Sequence, residues 1–451
     1  NNPPLSILGG FIGSTKEGTT TTLGRGGSDY TASLVGVALN ASQVEIWTDV
    51  DGLMTADPRK VKGALTIPEI SYEEAEEMAF AGAKVIHPKT MKPARLKGIP
   101  IYIKNTFNPQ AEGTKISKKM KILNNKIPVG ILGATGMVGQ RLVCLLKDHP
   151  WFTVVCVAAS EQSAGKTYGK AVKGRWTQKE KIPTNITKLK IFSIEKDIEA
   201  IAKKVRLVFS AIDAPKEFIQ NIEETCASNG LGVISNNGAH RWTQDVPMII
   251  PEINQNHLDI IPVQKKNRGW TTGFIITKPN CSIQSYVPLL YAWKDFNPQK
   301  VIVSTYQAIS GAGKTFETWP EVVDNVIPYI NGEEEKCEKE PGKIMGEIKG
   351  DKFIFKNTPQ ISTNCIRVPV TDGHLAAINI KFGKNVSKKE LVQALINFKN
   401  PLDILDLPSA PKPFITYFED DNRPQTQLDR NLQGGMGISV GRLRKDSVLG
   451  W

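Results

Sequence analysis

Short apolar runs recur between residues 127 and 237, with amphipathic stretches between them. IPVGIL at 127–132, TVVCVAA at 153–159, RLVFSAI at 206–212 and GVISNN at 232–237 read as strands. Helical spacing starts at residue 137 and recurs near 197–204 and 216–229. This alternation predicts a parallel, doubly wound sheet, because crossover helices cover both of its faces. From about residue 280 the pattern changes. VIVSTYQAIS, CIRVPVTDG and HLAAINIKF alternate apolar and polar positions, as half-buried antiparallel strands do. They predict an α+β region with a mostly antiparallel sheet. A helix over 387–398 starts at Ser387, with Glu390 three residues on, the pattern of a capping box.

Residues 1–114 also read as α/β. VEIWTDVDG predicts a strand and loop, SYEEAEEMAFAGAKVI a helix capped at Ser71, and IPIYIKN a strand. The basic stretch KISKKMKILNNK has no clear period, so 115–126 reads as a linker. The expected organisation is an α/β region at 1–114, the linker, a dinucleotide-binding domain at 127–279 and a second domain at 280–451. Both chain ends read as truncated: Asn1 begins in mid-pattern, and Trp451 ends the chain just as a strand-like stretch begins.

Composition narrows the classes. The chain has 451 residues, 40% hydrophobic and 23% charged, as in ordinary globular protein. No apolar run approaches the roughly 20 residues that span a bilayer. Six cysteines contain no C-x-x-C pair, so neither a disulfide framework nor a structural zinc site is expected, and no metal site is assigned. A reducing cytoplasm fits. The net charge is +12, but the lysines are scattered and no basic stripe is interleaved with aromatics. Nucleic acid is therefore not expected as a partner, nor is a membrane. Small acidic or phosphorylated substrates suit the charge as well as a solvated surface does.

GATGMVG, at 133–139, follows a strand and opens a helix. Gly133 permits the turn, Gly136 lets a diphosphate approach the backbone, and Gly139 lets helix and strand pack closely. Thr135, Met137 and Val138 complete the loop, whose free N–H groups would hold phosphate oxygens. NAD sites usually place an acidic residue after the second strand. Here the strand ends AASEQSAGKTYG. Ser160, Ser163 and Lys166 suit a 2′-phosphate and favour NADP, while Glu161 would suit NAD.

Four polar residues follow: Cys281 in PNCSIQ, Gln307 in TYQAISGAG, and Arg367 and His374 in CIRVPVTDGH. A thiol becomes nucleophilic when a cation or a helix start lowers its pKa, and a helix from Ser282 to Leu290 would supply such a field. His374 would exchange protons, and Arg367 would grip a carboxylate in bidentate fashion. The plain alternative for each is a core thiol or an exposed histidine, and spacing alone does not exclude it.

GATGMVG, SEQSAGK, SNNGAHRW, PNCSIQ, TYQAISGAG, EEEK and RVPVTDGH occur in the order found in aspartate-semialdehyde dehydrogenases. Residues 127–451 closely resemble the archaeal and fungal-like branch of that family. The resemblance implies that Cys281 is the acyl-carrying nucleophile, His374 the acid and base, and Gln307 a positioning group. It implies that Arg367 binds the amino-acid carboxylate. Glu333 and Lys336 would bind the substrate amino group and phosphate, with Arg241 and Asn280 completing the phosphate pocket and Gly311 at the cofactor. The implied reaction is NADPH-dependent reduction of 4-phospho-L-aspartate to the semialdehyde through a thioester, in a homodimer or homotetramer. The alternatives are a related N-acetyl-glutamyl-phosphate reductase and a nucleotide-binding module without turnover. The family's further C-terminal strand and helix are not found after GRLRKDSVLGW.

Residues 1–114 resemble the C-terminal half of an aspartokinase catalytic domain, through GFIGSTKEGTTTTLGRGGSDYTA, TDVDGLMTADPR and AKVIHP. That resemblance implies substrate-side roles for Arg25, Ser28 and Asp29. It implies ATP-side roles for Thr48, Asp49, Arg59 and Lys84, with Mg beside the nucleotide and Asp49 or Asp57 as its candidate ligand. The family's N-terminal lysine motif and its regulatory domains are not found. The chain as given is therefore not expected to phosphorylate, although a complete parent would join kinase and reductase.

Overall fold

The computed structural model describes residues 6–24, 26–55, 64–80, 86–117, 126–405 and 407–451. Arg25, Asp57, Arg59, Lys84 and most of the expected linker lie outside the described residues. The chain divides into two compact units, 1–125 and 126–451.

In the first unit β1 (Ile12–Ser14) and β2 (Thr20–Thr22) form a hairpin. β3 (Val44–Thr48), β4 (Glu69–Ser71), β5 (Ile101–Asn105) and β6 (Thr114–Ser117) form a mixed sheet in the order β3-β5-β6-β4. Tyr72, Ile101, Ile103 and Ile116 are fully buried in its core. Ser71 caps the helix Tyr72–Phe80: its Oγ accepts from the Glu74 N–H, and Glu74 accepts from the Ser71 N–H in return.

The second unit opens with six parallel strands: β7 (Ile127–Leu132), β8 (Phe152–Ala159), β9 (Ile191–Ser193), β10 (Leu207–Ser210), β11 (Gly232–Ser235) and β12 (Phe274–Thr277). Their order is β12-β11-β10-β7-β8-β9. The chain winds outward one way from β7 to β9, then returns to β10 and winds the other way. Apolar side chains pack on both faces, Val129 and Ile131 in one cluster and Leu132 and Val208 in the other. The strand order reverses between β7 and β10, where a doubly wound sheet opens its ligand crevice.

β13 (Pro298–Gln307) starts the second layer of this unit. β14 (Glu347–Lys349) and β15 (Lys352–Ile354) form a hairpin. β16 (Gln360–Arg367) and β17 (Leu375–Phe382) flank β13, and β18 (Ile415–Phe418) pairs β19 (Ile438–Gly441). The sheet differs from the antiparallel expectation. β17 runs antiparallel to β13, but β16 runs parallel to it. Alternation reports that one face is buried and carries no information about strand direction. The helix Lys388–Ile396 carries both halves of the capping box at Ser387 and Glu390.

Candidate active site

Strand pairing assembles the site. In the β13–β16 register Gln307 lies opposite Arg367, at the ends of both strands. His374 immediately precedes β17, whose Leu375 pairs with Tyr306. β12 ends at Thr277, four residues before Cys281. Four elements from distant parts of the sequence therefore converge on one edge.

Cys281 Sγ lies 3.3 Å from His374 Nε2. Cys281 is exposed at the wall of a cavity of about 1360 Å³, which His374 and Lys278 also line. The Ala308 N–H donates to His374 Nδ1 at 3.1 Å. That bond makes Nδ1 an acceptor and leaves the ring proton on Nε2, facing the sulfur. Burial pushes the Cys281 thiol up; the hydrogen bond of His374, the charge that ring carries when protonated, and the charge of Lys278 pull it down, against Glu333, and it settles at about 7. The helix expected behind Cys281 is broken. A 3₁₀ turn covers Ser282–Ser285, and the α-helix starts only at Val287. Pro288, at the start of that helix, lacks the N–H that would continue the earlier turn. The thiol is therefore tuned by side chains more than by a helix start.

Behind the sulfur lies a buried polar network. Asn280 donates from its side chain to Glu333 at 2.7 Å and from its backbone N–H to Glu340 at 2.6 Å, and its Oδ1 accepts from the Ser282 N–H at 2.8 Å. Asn280, expected on the substrate side, is 5% exposed and shapes the turn that holds Cys281. Arg241 is likewise held within protein. Its Nη1 donates to Glu340 at 2.8 Å and its Nε to the Lys278 carbonyl at 3.0 Å. Lys336 bonds Glu333 at 2.9 Å. Glu333, Glu340 and Lys343 all belong to the helix Glu333–Ile344, and each is buried. Lys343 Nζ donates to the carbonyls of Arg241, Thr243 and Val246 at 2.7, 3.1 and 2.8 Å, tying that helix to the segment that carries Arg241.

Glu340, Lys343 and Lys278 were not singled out in the sequence. The signal that could have found Glu340 and Lys343 is their seven- and ten-residue spacing from Glu333, which places all three on one side of a helix. Gln307 and Arg367 are buried; Gln307 bonds Thr305 at 3.2 Å, and Arg367 donates to the Ala308 carbonyl at 2.6 Å. Gly311, expected at the cofactor, sits against this group. A Cβ there would come within 3.1 Å of Arg367 Nη1 and 3.2 Å of His374 Cε1.

The glycine loop follows β7 at the crevice. Gly133 has φ +74°, and a Cβ there would lie 2.3 Å from the Ala211 carbonyl oxygen. A Cβ on Gly139 would lie 2.2 Å from the Gly133 carbonyl oxygen. Gly136, the residue before the helix Met137–Leu145, meets nothing closer than 3.5 Å. The loop is thus packed tightly beneath and open above, which fits a diphosphate. At the end of β8, Glu161 accepts from Ser193 and, at 3.0 Å, from Lys196. Ser163 is buried, and Lys166 Nζ donates to the Gln162 carbonyl at 2.7 Å.

In the first unit, Ser28 and Asp29 open the helix Gly27–Ala38, and burial pushes the Asp29 carboxyl up. Thr48 ends β3 and donates to Asp49 at 3.1 Å. Among the described residues no group of acidic, cysteine or histidine side chains is arranged to hold a metal, and no helix is long and apolar enough to cross a membrane.

Comparison with known proteins agrees with this geometry. Residues 128–261 match the family model "Semialdehyde dehydrogenase, NAD binding domain", and residues 288–450 match "Semialdehyde dehydrogenase, dimerisation domain". Residues 2–105 match "Amino acid kinase family". The aspartate-semialdehyde dehydrogenase of Archaeoglobus fulgidus is 42% identical over 327 residues, covering 71% of this chain and 90% of that protein. That of Schizosaccharomyces pombe is 39% identical over 328 residues, covering 71% and 90%. The crystal structure of aspartate semialdehyde dehydrogenase with NADP from Candida albicans is 34% identical, with a TM-score of 0.65 over 72% of this chain and 91% of that one. With a nicotinamide-type domain, a thiol–imidazole pair and relatives matched over nine-tenths of their length, the chain belongs to the aspartate-semialdehyde dehydrogenase family.

Proposed function

We propose that the second unit reduces 4-phospho-L-aspartate to L-aspartate 4-semialdehyde, with release of phosphate, in the biosynthesis of lysine, threonine and methionine. The observation that carries this reading is the 3.3 Å Cys281–His374 pair at the mouth of a cavity, in a chain with a dinucleotide loop. Cys281 attacks the acyl carbon as a thiolate, the C–O bond to phosphate breaks, and a thioester remains on Sγ. Arg367, buried opposite Gln307, holds the substrate carboxylate. Glu333 and Lys336 face the amino group and phosphate, and the one Arg241 nitrogen outside its network faces the phosphate as well.

The nicotinamide cofactor supplies a hydride when bound, and Gly133, Thr135, Gly136, Met137, Val138 and Gly139 would hold its diphosphate. NADP is favoured over NAD because Lys196 already engages Glu161, the acidic group a ribose would need. Ser160, Ser163 and Lys166 then remain for a 2′-phosphate. His374 Nε2–H would hydrogen-bond the oxygen of the hemithioacetal held on Sγ and steady the charge that develops there. The oxygen's electron pair re-forms the carbonyl as the C–S bond breaks, freeing the aldehyde and restoring the thiolate. A homodimer or homotetramer formed through the sheet region at 288–450, in a reducing cytoplasm that keeps Cys281 free, completes the proposal.

The first unit is proposed as the substrate- and nucleotide-binding half of an aspartate kinase in a longer parent chain, supported by the kinase-family match. ATP- and aspartate-dependent phosphorylation by that parent tests this, and silence beside a competent dehydrogenase overturns it.

NADP- and phosphate-dependent oxidation of aspartate semialdehyde, set against oxidation of N-acetyl-glutamate semialdehyde, tests the dehydrogenase reading. Cys281→Ala should reduce turnover at least a thousandfold, and activity that survives it would overturn the mechanism.

A further inference from the structure

His374 and Lys278 are the two groups that support a charge on the sulfur at the centre of this site. His374 accepts the Ala308 N–H on Nδ1, so in this geometry its ring proton lies on Nε2 and is offered to Cys281 as a hydrogen bond. A hydrogen bond from a neutral ring is a weaker support for a thiolate than an imidazolium would be. The other charges facing the sulfur and its neighbours are Lys278, Arg367, Arg241, Glu333 and Glu340. Arg241 is paired with Glu340, and Lys336 with Glu333. Arg367 is bonded to the Ala308 carbonyl and is the group placed to receive a substrate carboxylate.

Lys278 remains. It is the first residue after β12 and stands three residues before the nucleophile. Its backbone is fixed on both sides: its N–H donates to the Ser235 carbonyl at 2.8 Å, and its carbonyl accepts from Arg241 Nε at 3.0 Å. Its side chain lines the same cavity as Cys281 and His374. Among the described residues its ammonium makes no hydrogen bond or ion pair.

We propose that Lys278 is a positioning residue for the reaction: its ammonium is the charge partner that holds the Cys281 sulfur as a thiolate while His374 keeps its Nε2–H to hydrogen-bond the hemithioacetal oxygen. The charges then pair one to one: Arg241 with Glu340, Lys336 with Glu333, and Lys278 with Cys281. This division explains how one imidazole can serve as the hydrogen-bond donor of a site whose nucleophile is already ionised. The electrostatics agree in direction. Burial lowers Lys278, and Cys281 is the largest influence that raises it again. The proposal rests on Cys281 being the nucleophile, but its test does not require turnover.

The test is the pH dependence of Cys281 alkylation by iodoacetamide, read peptide by peptide on the full chain. Four of the other five cysteines are buried, so the label is site-resolved. Lys278→Met should move the midpoint upward by about one unit, slowing labelling at neutral pH roughly fivefold. Lys278→Arg should keep the midpoint close to that of the wild type. Should Lys278→Met not fold, as judged by circular dichroism, Lys278→Gln takes its place under the same criteria. An unchanged midpoint in the folded variant overturns the proposal. So does a rise in KM for phosphate in the reverse reaction without a shift in the alkylation midpoint, because the charge would then serve the phosphate. Dehydrogenase activity that survives Cys281→Ala would instead overturn the nucleophile assignment, which separates the two failures.

Discussion

Glu340→Gln is the sharpest probe of how this site is held. Glu340 is fully buried, and each carboxylate oxygen has one partner. Oε1 accepts from Arg241 Nη1 at 2.8 Å, and Oε2 accepts from the Asn280 N–H at 2.6 Å. Glutamine keeps the shape but turns one acceptor into a donor. Whichever way the amide lies, an N–H faces another N–H, and Arg241, 7% exposed, loses its countercharge. Removing one partner of a buried ion pair costs about 3–5 kcal/mol, a large share of the ~5–15 kcal/mol that holds a typical domain. Lys339–Glu335, on the same helix, supplies the contrast. It is just as short, at 2.7 Å, but 62% and 69% exposed. Water already solvates that pair, so Glu335→Gln should cost less than about 0.5 kcal/mol. Urea unfolding followed by tryptophan fluorescence reads the difference, since all of the eight tryptophans except Trp47 lie in the second unit. The double variant Glu340→Gln/Arg241→Met should cost less than the sum of the singles, because the second change removes the stranded charge. If Glu340→Gln stays within about 1 kcal/mol of Glu335→Gln, the network does not hold the site as argued.

Two further outcomes follow from the geometry. Lys343→Met orphans three buried carbonyls and should destabilise the second unit by about 3 kcal/mol, measured by thermal unfolding. Burial pulls Lys343 down to about 7, so the fold disfavours its protonation; wild-type stability should climb as pH rises from about 7 towards the ordinary lysine range, with the amine keeping two of the three carbonyl bonds, and the variant should lack that climb. Gly139→Ala drives a Cβ to 2.2 Å from the Gly133 carbonyl oxygen, and the helix must move off the strand. It should weaken NADP binding at least tenfold by titration calorimetry and lower the melting temperature as well. Gly136→Ala, with open space above it, should weaken binding and leave the melting temperature nearly unchanged.

Much of the fold was legible because its signal is local. IPVGIL followed by GATGMVG marks a strand, a glycine turn and a helix, and each follows from the residues that form it. Ser387 and Glu390 marked a helix start that the structure contains. What escaped was the content that depends on partners. β12 has four residues, too few for a period to declare itself, yet it delivers Lys278 and Cys281 to the site. The helix Glu333–Ile344 hides better still. Its buried side includes Glu333, Cys337, Glu340 and Lys343, so the usual apolar stripe is missing, and Pro341 and Gly342 blur its end. A polar side can be buried only when other chain segments satisfy it, and those segments lie about 50 to 100 residues away. Likewise, Cys281 and His374 stand 93 residues apart. Their roles were read from family resemblance, and no spacing rule yields them.

The charge balance around the sulfur shows why this partner-dependent layer carries the chemistry. The lysines and arginines that give the chain its +12 are mostly scattered and solvated. Within the site the accounting is local. Lys278, Arg241, Lys336 and Arg367 stand against the carboxylates of Glu333 and Glu340, an excess of two positive charges before the thiol ionises. A thiolate takes one of these and leaves one. An acyl phosphate with a free carboxylate arrives with more negative than positive charge, and releases much of it when phosphate departs. A site built to hold the substrate through several cations would bind the departing phosphate too tightly if all of them faced it unpaired. Holding Arg241 on Glu340 and Lys336 on Glu333 moderates that attraction. The buried carboxylates therefore set how strongly the site holds an anion as well as where its side chains sit. On this argument, removing Glu340 should slow phosphate release as well as loosen the fold.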